Sequence, residues 1–278
     1  MHGRNVAESR RPQVGLEHLS LREEPLSVFV AAAAAGGAET VCLSVTHPGV
    51  HDPKLLRAAL SQLEALNLVV AMGDGFLLKP HEGLDGLRRQ LDVLADLGAP
   101  LANTCAFEPN SELRRDPSYV GDLLGEFCQV ARTAGVDVLL EFTPLSHVPS
   151  LAAAVELLRE LDQPNLRILL DTLHLARAGE GPDDVRKVDQ QLIGYCQLSD
   201  GPLASESLSA YLDEAVYDRA LPGDGEFPLA EVLSLVPRDI TISAEVPLRG
   251  LQQAGVSAQE RARLILESSR RVLARAWA

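Results

Sequence analysis

Residues 165–179 read NLRILLDTLHLARAG: an aliphatic run ends on Asp171, and His174 follows three positions later. Three other apolar runs end on polar side chains in the same way. LLEF carries Glu141, YCQLSD carries Gln197 and Asp200, and ISAEVP carries Glu245. A lone aspartate at such a place is ordinarily a helix cap, because its oxygen accepts the free N–H groups of the next helix. A lone glutamine is ordinarily a buried amide, and a lone histidine one whose hydrogen bonds are met locally. Four consecutive runs ending on oxygen-bearing side chains need a further reason. A buried carboxylate without a partner is costly, and three that converge repel one another. A divalent cation answers both problems, and carboxylate and amide oxygens suit Mg²⁺ or Mn²⁺, with Co²⁺ and Zn²⁺ left open. Glu141, Asp171, Gln197 and Glu245 are therefore candidate ligands of one such ion. His174, beside Asp171, is a candidate for acid–base work, since histidine exchanges protons near neutral pH.

Convergence requires elements that bring these positions together. Strand candidates are 13–21 (QVGLEHLSL), 40–48 (TVCLSVTHP), 66–72 (LNLVVAM), 99–107 (APLANTCAF), 136–144 (VDVLLEFTP), 166–174 (LRILLDTLH), 193–201 (IGYCQLSDG) and 239–247 (DITISAEVP). Between them, segments such as DPKLLRAALSQLEA and SLAAAVELLRELDQ repeat apolar residues at steps of three and four, the mark of a helix with one buried face. Gly98 and Gly135 follow two of these helices, where C-caps belong. Eight strands alternating with helices over about 250 residues predict a single (β/α)8 TIM barrel, with its site at the C-terminal strand ends. A doubly wound sheet is the alternative. It usually carries a Gly-rich phosphate loop after an early strand, and the one GxG here, in PGDGEF (222–227), lies late. The barrel is expected to span 13–278 after a flexible tail of residues 1–12. SDGPLASESLSAYLDEAVYDRALPGDGEF, after the seventh strand, reads as a long irregular loop of the kind that forms a lid or binding surface.

The net charge of -14 disfavours nucleic acid and anionic membrane surfaces as partners, because both are negative. The charges are scattered, so the acidity reads as solubility. Cys42, Cys105, Cys128 and Cys196 lie far apart and form no CxxC pair. That argues against a disulfide framework or structural zinc and fits a cytoplasmic protein. MHGRNVAESRRPQ lacks the apolar stretch of a secretory signal. VFVAAAAAGGA is too short and too glycine-broken to cross a bilayer, and reads as an Ala-rich helix ending at Gly36 and Gly37. Its face at 31–38 could pack within the chain or in a homodimer.

The set Glu141, Asp171, Gln197 and Glu245, with the D-x-x-H of 171–174, resembles the xylose-isomerase-like TIM barrels. RALPGDGEFPLAEVLSLV (219–236) is similar to a segment of their sugar isomerase and epimerase branch. The resemblance covers residues 13–275 and implies one divalent metal and a small polyhydroxylated carbonyl substrate. It implies isomerase or epimerase chemistry first, with Glu141 and Glu245 moving a proton on opposite sides of the substrate. A dehydratase of the 3-dehydroshikimate or inosose type comes second, with His174 and Arg219 in the catalytic set. A non-catalytic sugar-binding barrel is the alternative of another class. Gln197 departs from the family's usual histidine, is similar to the bacterial 3-dehydroshikimate dehydratases, and should favour Mg²⁺, Mn²⁺ or Co²⁺ over Zn²⁺. Around this set, His47, Phe107 and Arg219 are candidate substrate-binding residues. Phe142, Tyr195 and Tyr217 are further aromatics, and Lys79, Arg114, Arg115 and Arg249 further cations, for a sugar ring or a carboxylate. Of Glu17 and His18, strand alternation allows only one to face inward.

Overall fold

In the computed structural model, which describes residues 14–278, eight parallel strands pair in chain order and close into a barrel. They are β1 Val14–Glu17, β2 Thr40–Ser44, β3 Val69–Leu77, β4 Leu101–Cys105, β5 Asp137–Glu141, β6 Leu166–Asp171, β7 Ile193–Leu198 and β8 Thr241–Ala244. Pairing of Leu16 with Ala244 closes the ring. Helices α1 Leu26–Ala35, α2 Pro53–Ala65, α3 Asp85–Leu97, α4 Gly121–Thr133 and α5 Leu151–Leu161 follow the first five strands in turn. The last three crossovers carry two helices each: α6 Thr172–Arg177 and α7 Pro182–Val185, α8 Leu208–Tyr217 and α9 Leu229–Leu235, then α10 Arg249–Gln253 and α11 Ala258–Ala276. The fold is a single (β/α)8 TIM barrel. The tail expected at residues 1–12 lies outside the described residues.

The two-residue period of the strands builds two cores. On β6, Leu166, Ile168 and Leu170 join the large outer core between sheet and helices, while Leu169 joins an inner cluster with Cys42, Met72, Leu139 and Tyr195. One step of two residues above that inner layer brings Leu139 to Glu141, Leu169 to Asp171 and Tyr195 to Gln197. Alternation therefore delivers all three polar side chains to one end of the barrel interior.

Several expectations change in detail. The strand expected over 13–21 stops at Glu17, and His18–Leu21 forms a 3₁₀ turn. The strand expected to end at residue 72 runs on to Leu77 through a register shift between Gly73 and Phe76. Gly75 sits within that shift at φ +108, a conformation that L side chains rarely adopt. The loop expected after the seventh strand contains α8, whose N-cap Ser207 accepts a hydrogen bond from the Ala210 N–H at 3.1 Å. Gly98 does end α3 in the left-handed conformation, at φ +67. The Ala-rich segment forms α1, which packs on α11 so closely that a Cβ on the capping Gly36 would lie 2.7 Å from Leu266 Cδ1. Among the described residues, no helix is long and apolar enough to cross a membrane.

Candidate active site

Asp171 is fully buried and serves two partners. Its Oδ1 caps α6 by accepting the Leu173 N–H at 2.7 Å, and its Oδ2 accepts from Arg219 Nη1 at 2.8 Å. The helix cap and the site residue are one side chain. Capping starts α6 at Thr172, and three residues later that helix presents His174, whose Nε2 lies 3.7 Å from Asp171 Oδ2 and 3.2 Å from Glu141 Oε1. The other oxygen of Glu141 accepts from Asn103 Nδ2 at 2.8 Å. Glu141, Asp171 and His174 bring one ligand atom each within 4.8 Å of one another, a group that could hold a metal ion.

A chain of hydrogen bonds lies behind His174. The Leu145 N–H donates to Thr143 Oγ1 at 3.3 Å, Thr143 Oγ1 lies 2.6 Å from the Tyr211 hydroxyl, and that hydroxyl lies 2.7 Å from His174 Nδ1. The Tyr211 hydroxyl can serve Nδ1 as donor or as acceptor, and the two carboxylates beside Nε2 call for a proton on that nitrogen. The opposite tautomer would aim a lone pair at them.

Arg219 fills the other side of the cluster. Its Nη1 binds Asp171, its Nη2 lies 2.7 Å from Glu245 Oε2, and its Nε donates to the Ala215 carbonyl at 3.0 Å. All three side chains are buried. Burial alone would raise the pKa of Asp171, but the Arg219 guanidinium and His174 outweigh it and hold that carboxyl below its usual range. Burial pushes Glu245 well above its usual range against the pull of Arg219.

Gln197 donates through Nε2 to Glu245 Oε1 at 3.2 Å, and its own Oε1 is buried with no partner. An orphaned amide oxygen beside carboxylates is costly, and a cation would satisfy it. Glu141, Asp171 and Gln197 thus fit an oxygen-coordinated divalent ion. One expectation is extended. Glu245, like Asp171, has both oxygens engaged within the cluster and remains a candidate ligand, and His174 falls inside the group that could hold a metal.

The remaining candidates scatter. Glu17 faces inward and accepts from the Tyr195 hydroxyl at 2.8 Å; burial raises its carboxyl to about 7. His18 lies between Phe29 and His47, with ring centroids 4.7 Å from each. His47 accepts the Gly49 N–H at 2.9 Å and caps a 3₁₀ turn. Neither His47 nor Phe107 hydrogen-bonds to the carboxylate group. Tyr195 and Phe142 are fully buried, so neither is free to stack on a sugar. Arg114 is held by the carbonyls of Glu108, Pro109 and Pro144, Lys79 pairs with Glu82 at 3.0 Å, and Arg249 pairs with Asp213. Asp200 accepts the backbone N–H groups of Gly201, Gly223 and Phe227, which gives it a structural role. Sequence reasoning missed Tyr211, Thr143 and Asn103. Only Asn103 had left a signal, two positions beyond Leu101 on an alternating strand.

Comparison with known proteins bears on this geometry. The profile of a family described as xylose isomerase-like TIM barrel matches residues 15–271. Two curated proteins named 3-dehydroshikimate dehydratase match about half of the chain. The one from Pseudomonas aeruginosa is 26% identical over 154 residues, covering 55% of this chain and 24% of that protein. The one from Pseudomonas putida is 27% identical over 157 residues with the same coverage, so the match spans about a quarter of either relative's length. Among solved structures, the IolI protein with a bound zinc atom superposes with TM-score 0.80 at 14% identity, covering 96% of this chain and 99% of that one. A probable 3-DHS dehydratase from Bacillus anthracis, AsbF, gives 0.73 at 18% identity, with 93% and 98% covered. A D-psicose 3-epimerase from Clostridium cellulolyticum, solved with D-tagatose, gives 0.71 at 13% identity, with 94% and 99% covered. At these identities the structural likeness shows the fold alone.

Proposed function

The chain belongs to the xylose isomerase-like TIM barrel family, and from that premise we propose that it is a divalent-metal-dependent dehydratase. It takes a proton from the carbon next to a carbonyl of a small polyhydroxylated substrate and expels a hydroxyl. The observation that carries this reading is the placement of a carboxylate base and an N–H acid side by side, with Glu141 Oε1 3.2 Å from His174 Nε2.

Glu141 is the base. Asn103 holds one of its oxygens and leaves the other facing His174. His174 is the acid in its imidazolium form, which gives up the Nε2 proton facing Glu141 and keeps the Nδ1 proton on the Tyr211 hydroxyl, so that a neutral ring remains. Proton removal sends the C–H electrons into a new C=C bond, and the hydroxyl on the next carbon leaves as water with the His174 proton. Arg219 holds the buried side chains of Asp171 and Glu245 in place. A divalent cation held by Glu141, Asp171 and Gln197 would polarise the carbonyl and acidify the neighbouring C–H.

Sequence alone ranked isomerase or epimerase first. Two observations support placing the dehydratase first: the two curated relatives described above bear that name, and Glu141 and His174 lie side by side. Epimerisation is the second reading, favoured by Glu245, which follows β8 and lies three strands from Glu141 around the ring. A proton removed by one carboxylate could be returned by the other on the opposite face.

The test follows substrate protons by NMR in D₂O, with Mn²⁺ or Mg²⁺, across ketoses and 3-dehydroshikimate. Dehydration predicts a new C=C product from 3-dehydroshikimate, lost in Glu141→Gln and in His174→Ala. Metal-dependent proton exchange in a ketose without loss of water would move the enzyme to the epimerases. Metal binding with neither reaction would favour a binding-only barrel.

A further inference from the structure

A cavity of about 420 Å³ opens between the loops that follow β3, β4 and β5, on the same face as Glu141. Strand register joins the two places. Cys105, at the end of β4, pairs with Glu141, and two residues farther on Phe107 pairs with Ser146. The β5 loop is shared as well. Its Thr143 begins the hydrogen-bond chain to His174, and its His147 lines the cavity.

The walls combine ring faces with positive charge. Phe107 and Tyr119, which are 38% and 44% exposed, line the cavity. His147 is 93% buried by its 7% exposure, and its Nδ1 accepts the Arg115 backbone N–H at 2.9 Å, so the neutral ring carries its proton on Nε2. Burial lowers the pKa of that ring from its usual value. Nε2 has no hydrogen-bond partner among the described residues. Arg115 donates through Nη1 to the carbonyls of Glu112, Leu113 and Arg114, which fixes the guanidinium. Its Nη2 and Nε donate to nothing among the described residues, and no carboxylate lies within ion-pair range. Its neighbour Arg114, by contrast, uses Nε, Nη1 and Nη2 on backbone carbonyls. The one carboxylate in the wall, Glu108, accepts the Asn110 N–H. A guanidinium fixed on one edge and open on the other suits an anion of matching planar shape.

We propose that this cavity is a subsite for a carboxylate borne on a compact ring, bound by Arg115 and the His147 N–H and packed against Phe107 and Tyr119. The proposal deepens the enzymatic reading above by naming the substrate class, and rests on it for its link to Glu141. One free guanidinium matches a singly charged group. The volume lies within the usual range for small-molecule sites, about 300–1,000 Å³.

The test measures binding directly, in metal-free protein, so that a failure of the catalytic reading leaves it intact. Calorimetric titration compares quinate, a carboxylated polyhydroxy ring, with uncharged myo-inositol and with fructose 6-phosphate. The expected result is at least a tenfold preference for quinate over inositol, abolished by Arg115→Ala and by Arg115→Gln, and retained in Arg249→Ala. Should the Arg115 variants fail to fold, the Leu113 methyl signals of the wild-type protein decide. They shift with quinate and not with inositol, and the shift fades as salt is raised. Equal affinity for quinate and inositol, tighter binding of the phosphate, an unaltered preference in folded Arg115→Ala, or Leu113 methyls indifferent to quinate would each overturn the proposal.

Discussion

The Tyr211 hydroxyl stands 2.7 Å from His174 Nδ1 and fixes which nitrogen of that imidazole faces Glu141. Removing it frees the ring to take the other tautomer or to rotate. Tyr211→Phe should lower kcat about 10–100-fold with little change in KM, the size of a disturbed acid–base step. The ¹⁵N shifts of His174 should move from the wild-type pattern toward a mixture of tautomers. A variant that keeps the wild-type ¹⁵N pattern would show that Tyr211 does not set the tautomer.

Arg219 lies buried between two carboxylates, and its loss leaves both unpaired. Arg219→Met should cost about 3–5 kcal/mol of stability in chelator-treated protein, read by urea unfolding. Part of the loss should return on adding Mn²⁺, because a cation would neutralise the same carboxylates. Stability equal to wild type without metal would mean that the charges are relieved in another way.

These residues differ in how far the sequence exposes them. Asp171, Gln197, Glu141 and Glu245 each end an apolar run, and strand alternation converts that position into a place at the barrel mouth. The eight-fold rhythm of strand and helix made the barrel legible for the same reason. Tyr211 is different. It lies in a segment rich in Ser, Pro and Gly, and α8 buries only Tyr211 and Ala215, so the helix carries almost no periodic signal. The end of β3 was hidden because GDGF reads as a turn, whereas neighbouring strands hold it extended through an irregular register. Arg219 stood out only through its resemblance to a family segment, and no pattern in the chain announces that it bridges Asp171 and Glu245.

The proposed ligand role of Gln197 makes metal preference a test of the donor at position 197. Glu141→Gln should weaken Mn²⁺ binding about 100-fold or more by removing a ligand charge. Gln197→His should raise the affinity for Zn²⁺ relative to Mn²⁺ by at least about tenfold, because imidazole suits zinc better than an amide oxygen does. Competition calorimetry measures both. An unchanged zinc-to-manganese ratio in Gln197→His would show that residue 197 is not a ligand.

His18 sets an acid limit on stability. Burial, helped by His47, lowers its pKa from 6.5 to about 3, and its Nε2 has no partner. Between those values the unfolded chain binds a proton at this residue and the folded chain does not. Stability is therefore full above pH 6.5 and falls as the pH drops toward 3, by about 1.4 kcal/mol per unit from this group. Urea unfolding at pH 7, 6 and 5 should show a shallower decline in His18→Phe than in wild type. Parallel declines would place the acid sensitivity elsewhere.

Asp200 closes a ring in the chain. It accepts N–H groups from Gly201 and Phe227 through one oxygen and from Gly223 through the other, while its own backbone exchanges two hydrogen bonds with Ala220. Segment 201–227 therefore leaves the barrel and returns to it at a single carboxylate, and that segment carries both Tyr211 and Arg219. The partner of His174 and the guanidinium between Asp171 and Glu245 form one cassette. Exchanging the whole segment between related barrels transfers both residues in working relation, and exchanging either alone does not.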